Sequence, residues 1–394
     1  MSTMLPAGFR LAVAEAAFRK AGRNDLALAL SDGPAAAAGL FTTNKFKAAP
    51  VLVGQDLLRM SKTARAVLIN SGQANACTGE EGLLRCRQTL KKTASLLGID
   101  PCDILPASTG VIGAQLVMEA WDRTLPELPE KLGKASLEDF ASAIMTSDAF
   151  PKYAGATLDF AGKKVVVAGV AKGAGMICPN MATMLSVVFC DAETDPEDWR
   201  AMFKRATDAS FNRVSVDDDT STNDTLYGLA NGASGVKVSG AGLRVLEDAM
   251  VRVLKDLAYM LVKDGEGATK VLHIRVSGAA DDADAERAAR TVGRSQLVKT
   301  AMYGKDANWG RVVCALGRSG AAFRPEDVAF SLCGVELFRR GGPTDLDFDA
   351  LLKDALEQRD VYLDLRLGEG PGEYLLLTSD LSHEYVSINS DYRS

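Results

Sequence analysis

The sequence predicts an α+β fold in which helices cover broad sheets, on three observations. Strand-like and helix-like segments come in mixed order, with no sustained βαβ alternation. Residues 184–190 form a strand that is apolar on both faces. Leu185, Val187 and Phe189 lie on one side and Met184, Val188 and Cys190 on the other, the pattern of a strand between two layers. The balance of 47% hydrophobic and 24% charged residues is that of an ordinary globular protein.

The elements follow in chain order. A strand over 64–70 leads into a glycine-containing loop, 71–79. Thr78 and Glu81 make a T-x-x-E pattern, which predicts a capping box at a helix start. Leu83, Leu84, Leu90, Ala94 and Leu97 recur at helical spacing, and Gly98 supplies the stop. A strand over 164–171 precedes the one over 184–190. Asp195 as N-cap and Pro196 in the first turn open a helix that buries Trp199, Met202, Phe203 and Ala206. A longer helix over 243–263 carries Leu246, Ala249, Met250, Val253, Leu257, Met260 and Leu261 on one side. Strands are expected at 270–277, 311–316, 327–333 and 361–367, a helix at 348–358, and a last strand pair at 373–378 and 384–389.

A chain of 394 residues fits one large or two medium domains, and no repeat or Pro-rich linker marks a boundary. A net charge of −6 without a basic stripe argues against nucleic acid. Residues 1–20 lack the apolar core of a signal peptide, and no run is long enough to span a membrane. Seven scattered cysteines without a CxxC fit a reducing cytoplasm better than a disulfide framework.

Only two histidines occur, His273 and His383, and neither has zinc-site spacing. A Ser-His-Asp or Cys-His enzyme is therefore disfavoured. The acidic run Asp217-Asp218-Asp219 with Asp224 fails as a calcium loop. Thr222 stands where glycine is needed and Gly228 where the bidentate glutamate is needed.

Between the two central strands lies an eleven-residue loop, 172–182, reading Lys-Gly-Ala-Gly-Met-Ile-Cys-Pro-Asn-Met-Ala. Gly173 and Gly175 permit unusual backbone angles and Pro179 fixes another. Thr183 then opens the buried strand. A threonine hydroxyl is a weak nucleophile that needs a base. With histidine scarce, the α-amine of the same threonine can serve, its reference pKa of ~7.7–8.0 being near working pH. Freeing that amine requires cleavage of the Ala182–Thr183 bond. Spacing alone still favours a glycine-containing hairpin with a strand-capping threonine.

Lys172-Gly173-Ala174-Gly175-Met176 and the following Pro179-Asn180-Met181-Ala182-Thr183-Met184-Leu185 closely resemble a known self-cleavage motif. It is that of the ornithine acetyltransferases, the glutamate N-acetyltransferases of arginine biosynthesis often called ArgJ. The resemblance covers almost the whole chain. It extends to Phe41-Thr42-Thr43-Asn44, Ala48-Ala49-Pro50-Val51, the 70–79 segment, Ser215-Val216-Asp217 through Thr225, Asn308-Trp309-Gly310-Arg311, and Tyr385-Val386 through Ser394. Departures from the family pattern stand at Gln73, Ser147, Ala149, Asp218 and Ala307.

The resemblance implies the layered α/β sandwich that the family shares with a self-cleaving aminopeptidase. It implies cleavage into chains 1–182 and 183–394, with Thr183 as nucleophile and Thr109 and Gly110 as the oxyanion hole. It implies substrate contacts at Thr146, Lys172, Thr183, Glu266, Asn389 and Ser394. Without it, Thr109–Gly110 reads as a turn, Lys172 as a solvated loop lysine and Glu266 as part of a helix-terminating turn. The implied reaction moves acetyl from N2-acetyl-L-ornithine to L-glutamate without a cofactor or metal. Acetyl-CoA is an additional donor in the bifunctional form, a choice the motifs leave open. An α2β2 assembly is implied as well. A self-processing amidohydrolase or aminopeptidase would use the same nucleophile.

Overall fold

The computed structural model describes residues 4–178 and 184–391. They divide into two units, 4–212 with 219–261, and 213–218 with 262–391. The expected α+β plan is present in each, as one mixed sheet with helices against it.

The first unit holds β1 (Phe9–Ala14), β2 (Leu26–Phe41), β3 (Thr63–Gln73), β4 (Ile104–Val111), β5 (Lys152–Phe160), β6 (Lys163–Lys172), β7 (Leu185–Cys190) and β9 (Thr225–Ala230). Their order is β4-β3-β2-β9-β7-β6-β5, with β1 beside β2. A register shift between Leu30 and Ala35 lets the long β2 pair with β3 along its first half and with β9 along its second. All six residues of β7 are buried, as a strand apolar on both faces must be. On one face Phe189 packs 5.0 Å from Phe9 and 6.2 Å from Phe140. On the other, glycines let helices come close. A Cβ on Gly228 would sit 2.5 Å from the Phe203 ring, and one on Gly169 3.0 Å from Leu257. These contacts seat the helices Pro196–Asp208 and Ala241–Lys263. Asp195 caps the first of them, accepting from the amides of Glu197 and Asp198.

The second unit holds β8 (Val214–Ser215), β10 (Val271–Ala279), β11 (Ala329–Leu332), β12 (Val335–Arg339), β13 (Gly342–Pro343), β14 (Asp360–Arg366) and β15 (Gly372–Ser379), in the order β13-β12-β11-β14-β10-β15-β8. The helix Asp282–Gly293 buries Ala285, Ala288, Ala289 and Val292 at helical spacing against β10 and β15. Two buried lysines tie ends together. Lys270 donates to the carbonyls of Leu356, Glu357 and Gln358 at the end of the helix Phe348–Glu357. Lys299 donates to the carbonyls of Val216 and Ser379. Burial pulls the Lys299 ammonium down to about 8, against the nearby Asp217 and Asp380.

Several sequence expectations are corrected. Residues 311–316 are not a strand but lie in the helix Trp309–Gly317, capped by Asn308 Oδ1 on the Arg311 amide at 3.1 Å. A five-residue apolar run, Val312 to Leu316, suits either structure, and the cap decides. Residues 384–389 are likewise helical, within His383–Asp391. The Thr78–Glu81 capping box does not form. The Thr78 hydroxyl donates to Asn75 Oδ1 instead, and Glu81 pairs with Arg85 one turn on. Leu84 is exposed, while Gly98 ends that helix in the left-handed conformation as expected. The helices Ala49–Met60, Leu137–Ala143, Asp282–Gly293 and Gln296–Tyr303 have no counterpart among the sequence expectations. The stripes of Leu137–Ala143 and Gln296–Tyr303 are short, and that of Asp282–Gly293 is built mostly of alanines, which leaves a weak periodic signal.

Cleavage at Ala182–Thr183 would not follow a unit boundary. It would fall between β6 and β7, which are hydrogen-bonded neighbours from Val167↔Cys190 to Lys172↔Leu185. None of the seven cysteines is in a disulfide. Among the described residues no helix is long and apolar enough to cross a membrane.

Candidate active site

Lys172 is the last residue of β6 and pairs directly with Leu185, the first of β7. The loop between them leaves the sheet at Gly173, whose φ of +146° suits glycine. Gly175 does not use the freedom expected of it. Met176 takes the left-handed conformation instead, at φ +57°. Pro179, Ala182 and the candidate nucleophile Thr183 lie outside the described residues, as does Ser394.

Both flanks of that segment are held by residues 220–225. On the upstream side Ile177 bridges to Thr220, and the Thr220 hydroxyl donates to the Cys178 carbonyl at 3.2 Å. On the downstream side the buried Met184, which follows Thr183, accepts the Thr225 amide at 2.9 Å. The same residues gather distant motifs. Asn44 Nδ2 donates to the Thr220 carbonyl, the Thr42 hydroxyl to Ser221, and the Ala48 amide to Thr222. Asn223 Nδ2 donates to the carbonyls of Ala74 at 2.6 Å and Ser108 at 2.8 Å. The Ser108 hydroxyl in turn donates to Asn70 Oδ1. The motifs at 41–44, 48–51, 70–79, 108–113 and 220–225 are thus joined by hydrogen bonds within one unit.

Asn223 was not among the residues singled out from the sequence. An asparagine in a polar loop gives no sign that it will stitch carbonyls 115 and 149 positions away. Replacing it by alanine strands two buried acceptors, at a cost of about 1–3 kcal/mol. An Asn223→Ala protein is therefore expected to show a lower urea midpoint with an unchanged m-value. It is also expected to lose turnover, because the Ser108 carbonyl adjoins Thr109.

Thr109 and Gly110 lie at the end of β4, in parallel register with Ser71 and Gly72 of β3. The strands approach so closely that a Cβ on Gly110 would sit 2.2 Å from the Gly72 carbonyl carbon, and Gly110 has φ +131°. Lys172 Nζ donates to the Thr146 hydroxyl at 2.6 Å and lies 3.4 Å from the Thr109 hydroxyl. Three predicted residues, Thr109, Thr146 and Lys172, therefore meet. Lys172 is buried rather than a solvated loop lysine.

Beneath them lies Asp148, fully buried and not singled out from the sequence. Its Oδ1 accepts from Lys152 Nζ at 2.7 Å and from the Gly173 amide at 2.6 Å. Its Oδ2 accepts from the Thr146 amide at 2.9 Å and stands 3.8 Å from Lys172 Nζ. Burial alone would raise its carboxyl. The Lys172 and Lys152 ammoniums and these hydrogen bonds outweigh burial and hold it well below the usual carboxylate range. Asp148 and Lys152, four residues apart, could have been flagged only with the strand register known.

In the second unit, Asn389 Nδ2 donates to Glu266 Oε2 at 3.0 Å, so these two predicted residues also meet. The turn carrying Glu266 seats the start of the last helix, the Ser382 hydroxyl donating to the Gly267 carbonyl. Asp218, where the family pattern has glycine, holds φ +68° and pairs with Arg294 at 2.8 Å. Gln73 is accommodated. Its Oε1 accepts the Val117 amide and its Nε2 donates to the Phe18 carbonyl. No group of metal-ligating side chains occurs among the described residues. His273 pairs with Asp360 and stacks on Tyr362, while His383 opens the last helix.

A family model described as the ArgJ family matches residues 10–394. The arginine biosynthesis bifunctional protein ArgJ of Nitratidesulfovibrio vulgaris is 62% identical over 389 residues, covering 99% of each chain. Its namesake from Geobacter sulfurreducens is 47% identical over 390 residues, covering 98% of this chain and 99% of the relative. Among solved structures, the crystal structure of the ArgJ protein of Bacillus halodurans matches with a TM-score of 0.51 and 34% identity. It covers 53% of this chain and 100% of that one.

Proposed function

This chain belongs to the ArgJ family, and on that premise we propose that Thr183 carries acetyl from N2-acetyl-L-ornithine to L-glutamate. The chain is an acetyl-transferring enzyme of arginine biosynthesis, a glutamate N-acetyltransferase. The observation that supports the catalytic assignment is the two-sided grip of residues 220–225 on the segment containing Ala182–Thr183, beside the cluster of Thr109, Thr146 and Lys172.

Maturation comes first in this reading. The Thr183 hydroxyl attacks the Ala182 carbonyl carbon, the peptide C–N bond breaks, and an ester remains. Water hydrolyses the ester, leaving an Ala182 carboxylate and a free Thr183 amine. A solved relative's chain that is matched whole by 53% of this one has about the length of the downstream piece. The two pieces would stay together through the β6–β7 ladder.

In turnover the Thr183 hydroxyl attacks the acetyl carbonyl of acetylornithine, its proton passing to the α-amine. The amide C–N bond breaks and ornithine leaves with that proton. Glutamate's amine then attacks the acetyl ester, and the threonine hydroxyl is restored. Negative charge on the carbonyl oxygen falls to Thr109 and Gly110, where one preorganised donor is typically worth ~10²–10³ in rate. Lys172 and Thr146 hold the substrate carboxylate, while Glu266 and Asn389, with Ser394, complete the substrate contacts. The cycle needs no cofactor or metal. Acetyl-CoA enters as a second donor if the chain shares the bifunctionality in its relatives' name. Protomers of two cleaved chains would pair as α2β2, acting in the cytoplasm.

The test is ornithine release from acetylornithine with and without glutamate. Release is expected to depend on glutamate and to match the N-acetylglutamate formed. Equal hydrolysis in both cases would mean that water resolves the acyl-enzyme, as in an amidohydrolase.

A further inference from the structure

We propose that Asp148 and Lys152 form a buried positioning pair that sets Lys172 and Thr146 for substrate and anchors the root of the self-cleaving loop. The proposal rests on the reading of Lys172 and Thr146 as substrate contacts.

Among the described residues the cluster brings together Lys152, Lys172 and the Asp148 carboxylate, all buried. The two lysines are not equivalent. Lys152 takes the short contact, 2.7 Å to Oδ1, and both side chains of that pair are fully enclosed. Lys172 stands 3.8 Å from Oδ2 and directs its 2.6 Å bond to the Thr146 hydroxyl. Lys152 therefore holds the carboxylate, while the Lys172 ammonium is turned to the Thr146 hydroxyl. That ammonium is the group an amino-acid carboxylate would meet.

Asp148 also fixes the backbone on both sides of the cluster. Its two oxygens accept the amides of Thr146 and Gly173, one beside each substrate-contact candidate. Gly173 is where the loop departs from β6, so the same carboxylate sets the direction in which the chain leaves toward the scissile bond. The pairing Lys152↔Ala171 places the two segments side by side and gives Asp148 its reach.

Loss of Lys152 would leave Lys172 as the cation nearest a buried carboxylate. Its ammonium would close onto Asp148 and turn away from Thr146, because a buried charge without a close partner is strongly disfavoured. The loss would be felt in substrate binding more than in the chemical step.

The experiment compares wild type, Lys152→Met, Lys152→Arg and Asp148→Asn in the full chain. Self-cleavage is followed by denaturing electrophoresis, and KM for glutamate and kcat are measured on cleaved, folded protein. Lys152→Met is expected to raise KM by about 10–100-fold, the worth of one hydrogen bond to a charged group, with kcat little changed. Lys152→Arg, which keeps the charge, is expected to restore most of that loss. Asp148→Asn is nearly isosteric and carries the same test if Lys152→Met does not fold. It is expected to raise KM and to slow cleavage, since an amide nitrogen would face an N–H donor. Wild-type KM and cleavage rate in folded Lys152→Met or Asp148→Asn would overturn the proposal. So would equal changes in KM and kcat that merely follow the loss of thermal stability. Absence of transfer to glutamate in the wild type would sink the proposed function instead, while the cleavage arm would still test the anchoring role.

Discussion

A Thr183→Ala chain remains a single polypeptide of 41.8 kDa and loses acetyl transfer by at least ~10³-fold, since nucleophile removal of this kind removes nearly all chemistry. Alanine cannot attack the Ala182 carbonyl, so the α-amine proposed as base is never freed. The variant thus loses both nucleophile and base at once. Intact mass under denaturing conditions separates this outcome from simple misfolding. Wild-type protein is expected as two pieces of roughly half size, while the variant gives one mass and a wild-type-like circular dichroism spectrum. Two pieces and normal turnover from Thr183→Ala would refute the assignment of the nucleophile.

The second large effect is expected at Gly110. An alanine there meets φ +131° and places its Cβ 2.2 Å from the carbonyl carbon of Gly72 and 2.6 Å from the Gln73 amide nitrogen. Neither neighbour is the far end of a flexible side chain. Both are backbone atoms of β3, held in register with β4 from Ala66↔Ile104 to Gln73↔Val111. Backbone strain and overpacking together cost roughly 2–5 kcal/mol. Relief requires the end of β4 to move away from β3, which carries the Thr109 and Gly110 amides with it. Gly110→Ala is therefore expected to lower the denaturant midpoint and to slow transfer by ~10²–10³-fold on the folded fraction, as loss of an oxyanion donor does. Full kcat in folded Gly110→Ala would show that the donors lie elsewhere.

The glycine at 110 was legible as part of a motif but not as a contact. Nothing in Ser-Thr-Gly-Val says that another glycine, Gly72, will stand opposite it. The same holds for Asn223, whose partners lie more than a hundred residues upstream, and for Asp148, whose partner Gly173 is 25 residues away. Local periodicity reports which face of an element is apolar. It does not report which elements become neighbours or in what register, and it was that register that built the cluster around Lys172.

What the sequence determined by itself was the burial of the strand after Thr183 and the helices with strong stripes and caps, such as the one Asp195 opens. Each is written in residue types a few positions apart, so short-range rules suffice. The tertiary structure decided the state of weakly patterned segments, such as Trp309–Gly317 and His383–Asp391. Both are short, and hydrogen bonds at their starts, from the Arg311 amide to Asn308 and from the Tyr385 amide to Ser382, outweigh the small intrinsic preferences of their residues. It also decided that Lys172 shares its carboxylate with a second lysine, and that Glu266 and Asn389 meet. Those facts depend on strand order and chain crossings, which are settled by the collective burial of apolar surface rather than by any local run of residues.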